Sequence, residues 1–275
     1  MASNIEIFCL IFMLLIPIFY ETNNAFRYYF KFFLYYGIIM LTSIVVMPVM
    51  IWRPGNVENL IIASYLCRHI STLLGLHWEL KGKEYLEKDQ AYIIVANHQS
   101  SLDILGMFEI WPIMKKCTVV AKKELFYAWP FGLAAWLCGL IFIDRLNSDT
   151  ARQAINNAVV QLKNDKINLW VFPEGTRKNT GEIHEFKKGA FRAAISAQLP
   201  LLPIVFTQFY FLQSKEKHLD QGEIIMTVLP PISTEGLTAA DVPKLMAETH
   251  SAMTTTFIST SKELKDKVHF PLKKD

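Results

Sequence analysis

Apolar residues recur along this chain in three rhythms, and each predicts a different kind of element. Near the N-terminus they run almost without interruption. Residues 32–52 carry no formal charge and are long enough to cross a hydrocarbon core of about 30 Å. Residues 7–20 are also apolar, but shorter, and contain Pro17. They suit a short span, an interfacial helix or a signal-anchor core. No basic stretch precedes them and no small-residue cleavage site follows, so a removable signal peptide is not expected. Residues 1–55 therefore read as a membrane-associating helical region, closed by the polar break Arg53-Pro54-Gly55-Asn56.

Beyond that break, short apolar runs alternate with helical periodicity. Strands are predicted at 78–80, 92–96, 118–121, 140–143, 167–172, 201–206 and 224–228. Helices are predicted from about 57 to 74 and at 101–110, 150–162, 188–197 and 242–261. This alternation predicts an α/β domain over 56–275, with a mainly parallel sheet flanked by helices. The third rhythm is residues 125–143, which are uncharged and hold Trp129, Pro130, Trp136 and two glycines. Pro130, Gly132 and Gly139 make a poor continuous helix. The segment is expected to face a membrane or the core rather than to form another span.

Composition narrows the function. The 275 residues suffice for one sizeable domain and a small appendage. Their 52% hydrophobic content is high for a soluble enzyme and is concentrated at the N-terminus. A net charge of +3 suits mild attraction to anionic surfaces. No arginine-rich tract or base-stacking aromatic pattern supports binding of nucleic acid. Cys9, Cys67, Cys117 and Cys138 are scattered in apolar contexts, without metal or redox spacing. They read as inert buried thiols in a reducing compartment.

Asn97-His98-Gln99-Ser100-Ser101-Leu102-Asp103 follows the strand at 92–96 and opens a helix. Open α/β sheets place chemistry at such strand ends. On one continuous helix, a spacing of five turns through about 500° and separates two side chains. With His98 in the loop and Asp103 in the first helical turn, the two can meet. The carboxylate then holds one ring N–H while the other nitrogen takes a proton from a hydroxyl. Ser100-x-x-Asp103 also fits a capping box, in which Asp103 serves only helix-end amides.

A second constellation, Pro173-Glu174-Gly175-Thr176-Arg177, follows the strand at 167–172. Gly175 lets the backbone approach a ligand. Thr176 offers a hydroxyl and an amide, and Arg177 a planar fork that matches phosphate. A charged surface turn with a local Glu174–Arg177 pair is the bland alternative. Lys122, Lys123, Arg145, Lys187 and Lys188 stand at corresponding ends of other elements. Together they could form one electropositive rim for a small phosphorylated substrate.

Taken in order, these blocks resemble the glycerolipid acyltransferases that carry an H-x4-D motif. The matching blocks are Asn97 through Asp103, Gly139-Leu140-Ile141-Phe142-Ile143-Asp144-Arg145, Phe172 through Arg177, and Leu202-Pro203-Ile204-Val205. Ala121-Lys122-Lys123-Glu124-Leu125 and Phe186-Lys187-Lys188-Gly189-Ala190-Phe191 also look like family blocks. The resemblance runs from about residue 25 to about 260. H-x4-D alone is weak, whereas all blocks in this order are specific. Asn56-Val57-Glu58-Asn59 and Thr234-Glu235-Gly236-Leu237-Thr238 favour the eukaryotic alpha-type 1-acylglycerol-3-phosphate O-acyltransferase branch.

That resemblance implies acyl transfer from acyl-CoA, a co-substrate, to the sn-2 hydroxyl of lysophosphatidic acid, giving phosphatidic acid. It implies an endoplasmic reticulum membrane location with a cytosolic catalytic face, and no cofactor. His98 would be the base and Asp103 its orienter. Arg177, Thr176 and Gly175, helped by Lys122 and Arg145, would hold the lysolipid phosphate, while Glu174 cannot bind phosphate directly and would orient Arg177 or a loop amide. Thiolate leaves readily, so no metal is expected. Backbone amides near the helix start, or another donor not identified by the motif, would stabilise the oxyanion. The rivals are transfer to glycerol 3-phosphate or another lysophospholipid, a serine hydrolase using Ser100 or Ser101, and a non-catalytic lipid-binding adaptor. Arg27 and Lys31 pose a topological problem, because two crossing segments would leave both charges on the far side of the membrane.

Overall fold

The computed structural model of the chain describes residues 4–144 and 148–267. Its strands are β1 (Leu76–Lys81), β2 (Ile93–Ala96), β3 (Cys117–Lys122), β4 (Ile141–Ile143), β5 (Asn168–Val171), β6 (Leu201–Phe206), β7 (Leu212–Gln213), β8 (His218–Leu219) and β9 (Gly222–Val228). Its helices are α1 (Asn4–Thr22), α2 (Asn24–Met50), α3 (Asn59–Cys67), α4 (His69–Leu74), α5 (Asp103–Met114), α6 (Phe131–Leu137), α7 (Ser148–Asn164), α8 (Gly189–Ala197) and α9 (Val242–Lys267). Every strand expected from the sequence forms, with ends shifted by at most two residues.

Seven strands make one sheet in the order β1-β9-β6-β2-β5-β3-β4. From β6 to β4 all neighbours are parallel. β9 pairs antiparallel with β6, and β1 pairs parallel with β9, so these two strands run against the rest. Alternation of strands and helices did not reveal that reversal. A parallel return needs a crossover, usually a helix. Between β6 and β9 the chain instead makes the small β7–β8 hairpin, which the sequence reading missed. It also missed the short helix α6, and the single helix expected over 57–74 is interrupted at Arg68.

β2 lies in the middle of the sheet, and both of its faces are covered. Ile94 and Ala96 pack with Trp170 and the α5 residues Leu105 and Phe108. Ile93 and Val95 pack with Leu169 and the α8 residues Ala190 and Ala194. This two-sided burial is why its sequence is continuously apolar rather than alternating. Each of these larger side chains contributes about 1.5–3 kcal/mol. The strand end that carries His98 is thereby fixed. Gly106 lets α5 lie directly on the sheet, since a Cβ there would fall 2.6 Å from Trp78 and 2.9 Å from Phe206 side-chain atoms. The first turn of α5 consequently sits at the mouth of β2.

α2 is long and apolar enough to cross a membrane, the only such helix among the described residues. It packs along the domain rather than standing away from it. Lys31, Tyr35, Ile39, Thr42, Val46 and Met50 form its buried stripe at three- and four-residue spacing. Tyr35 and Ile39 belong to the same core as Ile94 and Trp170, so the packing of α2 runs continuously into that of the sheet. The outward face holds Phe33, Leu41, Ile44, Val45 and Val49, all exposed. Residues 125–143 form no long helix. Phe126, Tyr127, Trp129 and Trp136 are exposed there, while Ala134, Ala135 and Leu137 are buried.

Candidate active site

His98 follows β2 in a loop whose neighbours are tied on both sides. The Asn97 side chain donates to the Phe206 carbonyl at 3.0 Å and accepts from the Phe206 N–H at 2.8 Å, as another strand residue would. Gln99 donates to the Thr207 carbonyl at 2.9 Å and accepts from the Phe209 N–H at 3.1 Å. On the other side, the His98 N–H donates to Glu174 Oε1 at 2.7 Å. The His98 carbonyl accepts from the Lys178 N–H at 2.9 Å. The loop after β2 and the loop after β5 are thus stitched together through the backbone of the histidine itself.

Asp103 is the first residue of α5 and is fully buried. Its Oδ2 lies 2.5 Å from His98 Nδ1. The same oxygen accepts the N–H groups of Gln99 at 2.9 Å and Ser100 at 3.2 Å. The two sequence readings of Asp103, as histidine partner and as acceptor of backbone amides, are therefore both realised. A carboxylate can only accept, so Nδ1 carries the proton and Nε2 of neutral His98 is left with its lone pair. Nε2 has no hydrogen-bond partner among the described residues. Phe172 stacks on the ring at a centroid distance of 3.9 Å and fixes its plane.

Of the helix-start amides, those of Gln99 and Ser100 bond to Asp103, and that of Leu102 bonds to Ser100 Oγ at 3.3 Å. Neither serine is bonded to His98. Ser101 Oγ accepts from the Tyr36 hydroxyl at 2.9 Å, and the Ser101 carbonyl accepts from Tyr35 at 2.8 Å. A serine nucleophile activated by His98 thus has no support in the geometry. The two tyrosines of α2, which the sequence reading did not single out, brace the loop that carries His98.

Glu174 does not pair with Arg177. It is buried, and its second oxygen accepts the His184 N–H at 3.1 Å. Burial pushes its carboxyl up to about 7, against the pull of the two amides and of Lys178. Gly175 adopts φ +70°, in the left-handed region that favours glycine, and a Cβ there would meet the Lys187 side chain at 2.8 Å. Thr176 and Arg177 are exposed, and Arg177 has no hydrogen-bond or ion-pair partner among the described residues. The residue after Arg177, Lys178, donates its N–H to the His98 carbonyl, which ties the Arg177 loop to the His98 loop.

The other predicted rim residues are more dispersed. Lys122 ends β3, two strands from β2 and hence about 10 Å across the sheet. Its ammonium is 3.3 Å from Glu124. Lys123 is bound to Asp144 at 2.5 Å. Arg145 lies outside the described residues. Lys187 is exposed beside Gly175, which joins it to the Arg177 loop more closely than its position in the sequence suggested. Among the thiols, burial pushes Cys117 up and Cys138 up to about 12, which keeps both protonated and inert.

The fold and the two stitched loops can be set beside known proteins. The family model described as Acyltransferase matches residues 77–207, a stretch that contains both motif loops and ends just beyond β6. The class defined is that of acyltransferase enzymes. The chain is 40% identical over 244 residues to the human 1-acyl-sn-glycerol-3-phosphate acyltransferase alpha, covering 88% of this chain and 86% of that protein. It is 37% identical over 253 residues to the human beta enzyme, covering 91% and 90%. The crystal structure of the 1-acyl-sn-glycerophosphate (LPA) acyltransferase PlsC from Thermotoga maritima superposes with a TM-score of 0.62. That match covers 85% of this chain and 95% of the other, and its 21% identity speaks for the fold alone. The chain belongs to the 1-acyl-sn-glycerol-3-phosphate acyltransferases.

Proposed function

We propose that this chain transfers an acyl group from acyl-CoA to the sn-2 hydroxyl of lysophosphatidic acid, with His98 as general base. The observation that carries this reading is the 2.5 Å contact between His98 Nδ1 and Asp103 Oδ2, made on a loop stitched to that of Arg177. Nε2 takes the hydroxyl proton as the oxygen attacks the thioester carbonyl. Asp103 stabilises the imidazolium that forms. The C–S bond then breaks, and the thiolate takes the proton back from Nε2 to leave as free CoA. No acyl-enzyme is needed. Arg177, with Thr176 and the Gly175 backbone, holds the phosphate, and Lys187 and Lys122 add positive charge.

The test is product analysis with purified protein, a long-chain acyl-CoA and three acceptors: lysophosphatidic acid, glycerol 3-phosphate and lysophosphatidylcholine. Phosphatidic acid and one CoA per turnover are expected. Product from either of the other acceptors, with none from lysophosphatidic acid, overturns the assignment. An adaptor would give no product at all. Arg177→Lys keeps the charge but loses the bidentate fork. A hydrogen bond to a charged group is worth about 1.5–3 kcal/mol, so kcat/KM for lysophosphatidic acid should fall about 10–100-fold. Wild-type behaviour of both Arg177→Lys and Arg177→Ala would move the phosphate site elsewhere.

We further propose that α1 and α2 lie in one leaflet instead of crossing the bilayer. The outward face of α2 is lined by exposed apolar side chains, and Trp52, Tyr127, Trp129 and Trp136 are exposed as well, which suits a surface that meets lipid. Arg27 contacts Asp220 at 3.4 Å, and Lys31 donates to the Leu74 carbonyl at 3.1 Å. Both charges are thus held by the domain that carries His98, which removes the topological problem. In sealed vesicles, an impermeant maleimide should modify Asn24→Cys from the same side as Glu235→Cys, both positions being exposed. Labelling of Asn24→Cys only after permeabilisation would mean that the pair crosses. Residence in the endoplasmic reticulum with a cytosolic catalytic face agrees with a cytosolic acyl-CoA donor.

A further inference from the structure

We infer that Glu174 is a positioning residue that holds the His98 backbone from behind, and that it does not touch the acceptor's phosphate; the inference rests on His98 being the base. The carboxylate points away from the rim. Glu174 is 5% exposed, whereas Thr176 and Arg177, two and three residues on, are exposed. Both of its oxygens are engaged by amides from two different segments, His98 at 2.7 Å and His184 at 3.1 Å. The Lys178 N–H, on the same loop, grips the His98 carbonyl. His98 is therefore held at its N–H, at its carbonyl and, through Asp103, at its ring. An anionic phosphate would gain nothing from a buried carboxylate whose oxygens already accept.

The chemistry of the side chain explains why glutamate suits this place. A carboxylate presents two acceptors, and these two amides need two. Glutamine presents one acceptor and an NH2 group that would face the other amide. Aspartate is one methylene shorter and cannot span both segments. Either substitution releases one tie and lets the His98 loop shift. A displacement of about 1 Å can cost about 100-fold in rate.

The experiment compares full-length wild type, Glu174→Gln and Glu174→Asp, using steady-state kinetics with lysophosphatidic acid and hydrogen exchange across residues 97–101. Both variants are expected to lose about 10–100-fold in kcat with KM for lysophosphatidic acid within about threefold. The His98 amide should exchange faster in both. A rise in KM at unchanged kcat would make Glu174 a substrate contact, and wild-type kcat would remove it from the reaction; either result overturns the inference. Exchange needs no turnover. If the wild type does not acylate lysophosphatidic acid, the acceptor assignment fails, while the exchange comparison still decides on the clamp: unchanged exchange at His98 refutes it. Glu174→Asp retains the charge and serves where Glu174→Gln does not fold.

Discussion

His98→Ala should lower kcat by about 10²–10⁴-fold or more, the usual contribution of a positioned general base, with the protein still folded. Folding should survive because both ties of the residue to the neighbouring loop use its backbone. The N–H reaches Glu174 and the carbonyl accepts from Lys178, and an alanine makes the same two bonds. What is lost is the ring, its stack on Phe172 and its contact with Asp103. Circular dichroism and a thermal melt should match wild type to within a few degrees while product formation falls to background. A folded His98→Ala enzyme that keeps a tenth of the wild-type rate would exclude His98 as the base.

The second large effect concerns Asp103, where two substitutions should separate charge from geometry. One of its oxygens, Oδ2, serves His98 Nδ1 and the amides of Gln99 and Ser100. The other, Oδ1, is buried and has no hydrogen-bond partner among the described residues. Asn can therefore turn its single oxygen toward all three donors and place its NH2 group where nothing is bound. Asp103→Asn should keep the fold and the ring orientation but lose the negative charge that stabilises the imidazolium. Breaking a buried ion pair costs about 3–5 kcal/mol, so a kcat loss of at least about 100-fold is expected. Asp103→Ala should lose as much activity and also several degrees of melting temperature, because it leaves two buried amides unpaired at about 1–3 kcal/mol each. Equal melting temperatures for the two variants would mean that the carboxylate does not anchor the loop. Near-wild-type turnover of Asp103→Asn would deny its charge any part in the reaction.

Much of this site was legible before any coordinates. The apolar runs marked every strand of the main sheet, most clearly β2 and β6, which are buried on both faces and leave unbroken hydrophobic stretches. The interval between His98 and Asp103 suggested a loop residue facing the first turn of a helix, and that is their arrangement. Gly175 was read as a backbone requirement and does adopt a positive φ. Each of these features depends on residues within a few positions of one another.

Glu174 shows where local reading stopped. The motif left Arg177 or a loop amide as its partner, and only the fold shows that its side chain turns inward to an amide 76 residues away. Tyr35 and Tyr36 looked like ordinary members of an apolar helix. Only packing brought their hydroxyls to Ser101, 66 and 65 residues distant. The reversal of β9 and β1 depended on the path of a connection rather than on the pattern within either strand. The lengthwise docking of α2 was equally hidden, since a membrane span and a helix lying on its own domain share the same composition.

The sequence by itself determined the α/β class, the position of the strand ends and the meeting of His98 with Asp103, because periodicity and residue chemistry act over short separations. The tertiary structure alone decided which oxygen faces which amide, that Lys187 lies beside Gly175, and that α2 rests on the domain that carries His98. Those outcomes rest on contacts between separate segments of the chain, selected by burial and by the need to pair every buried N–H, and no local pattern encodes them.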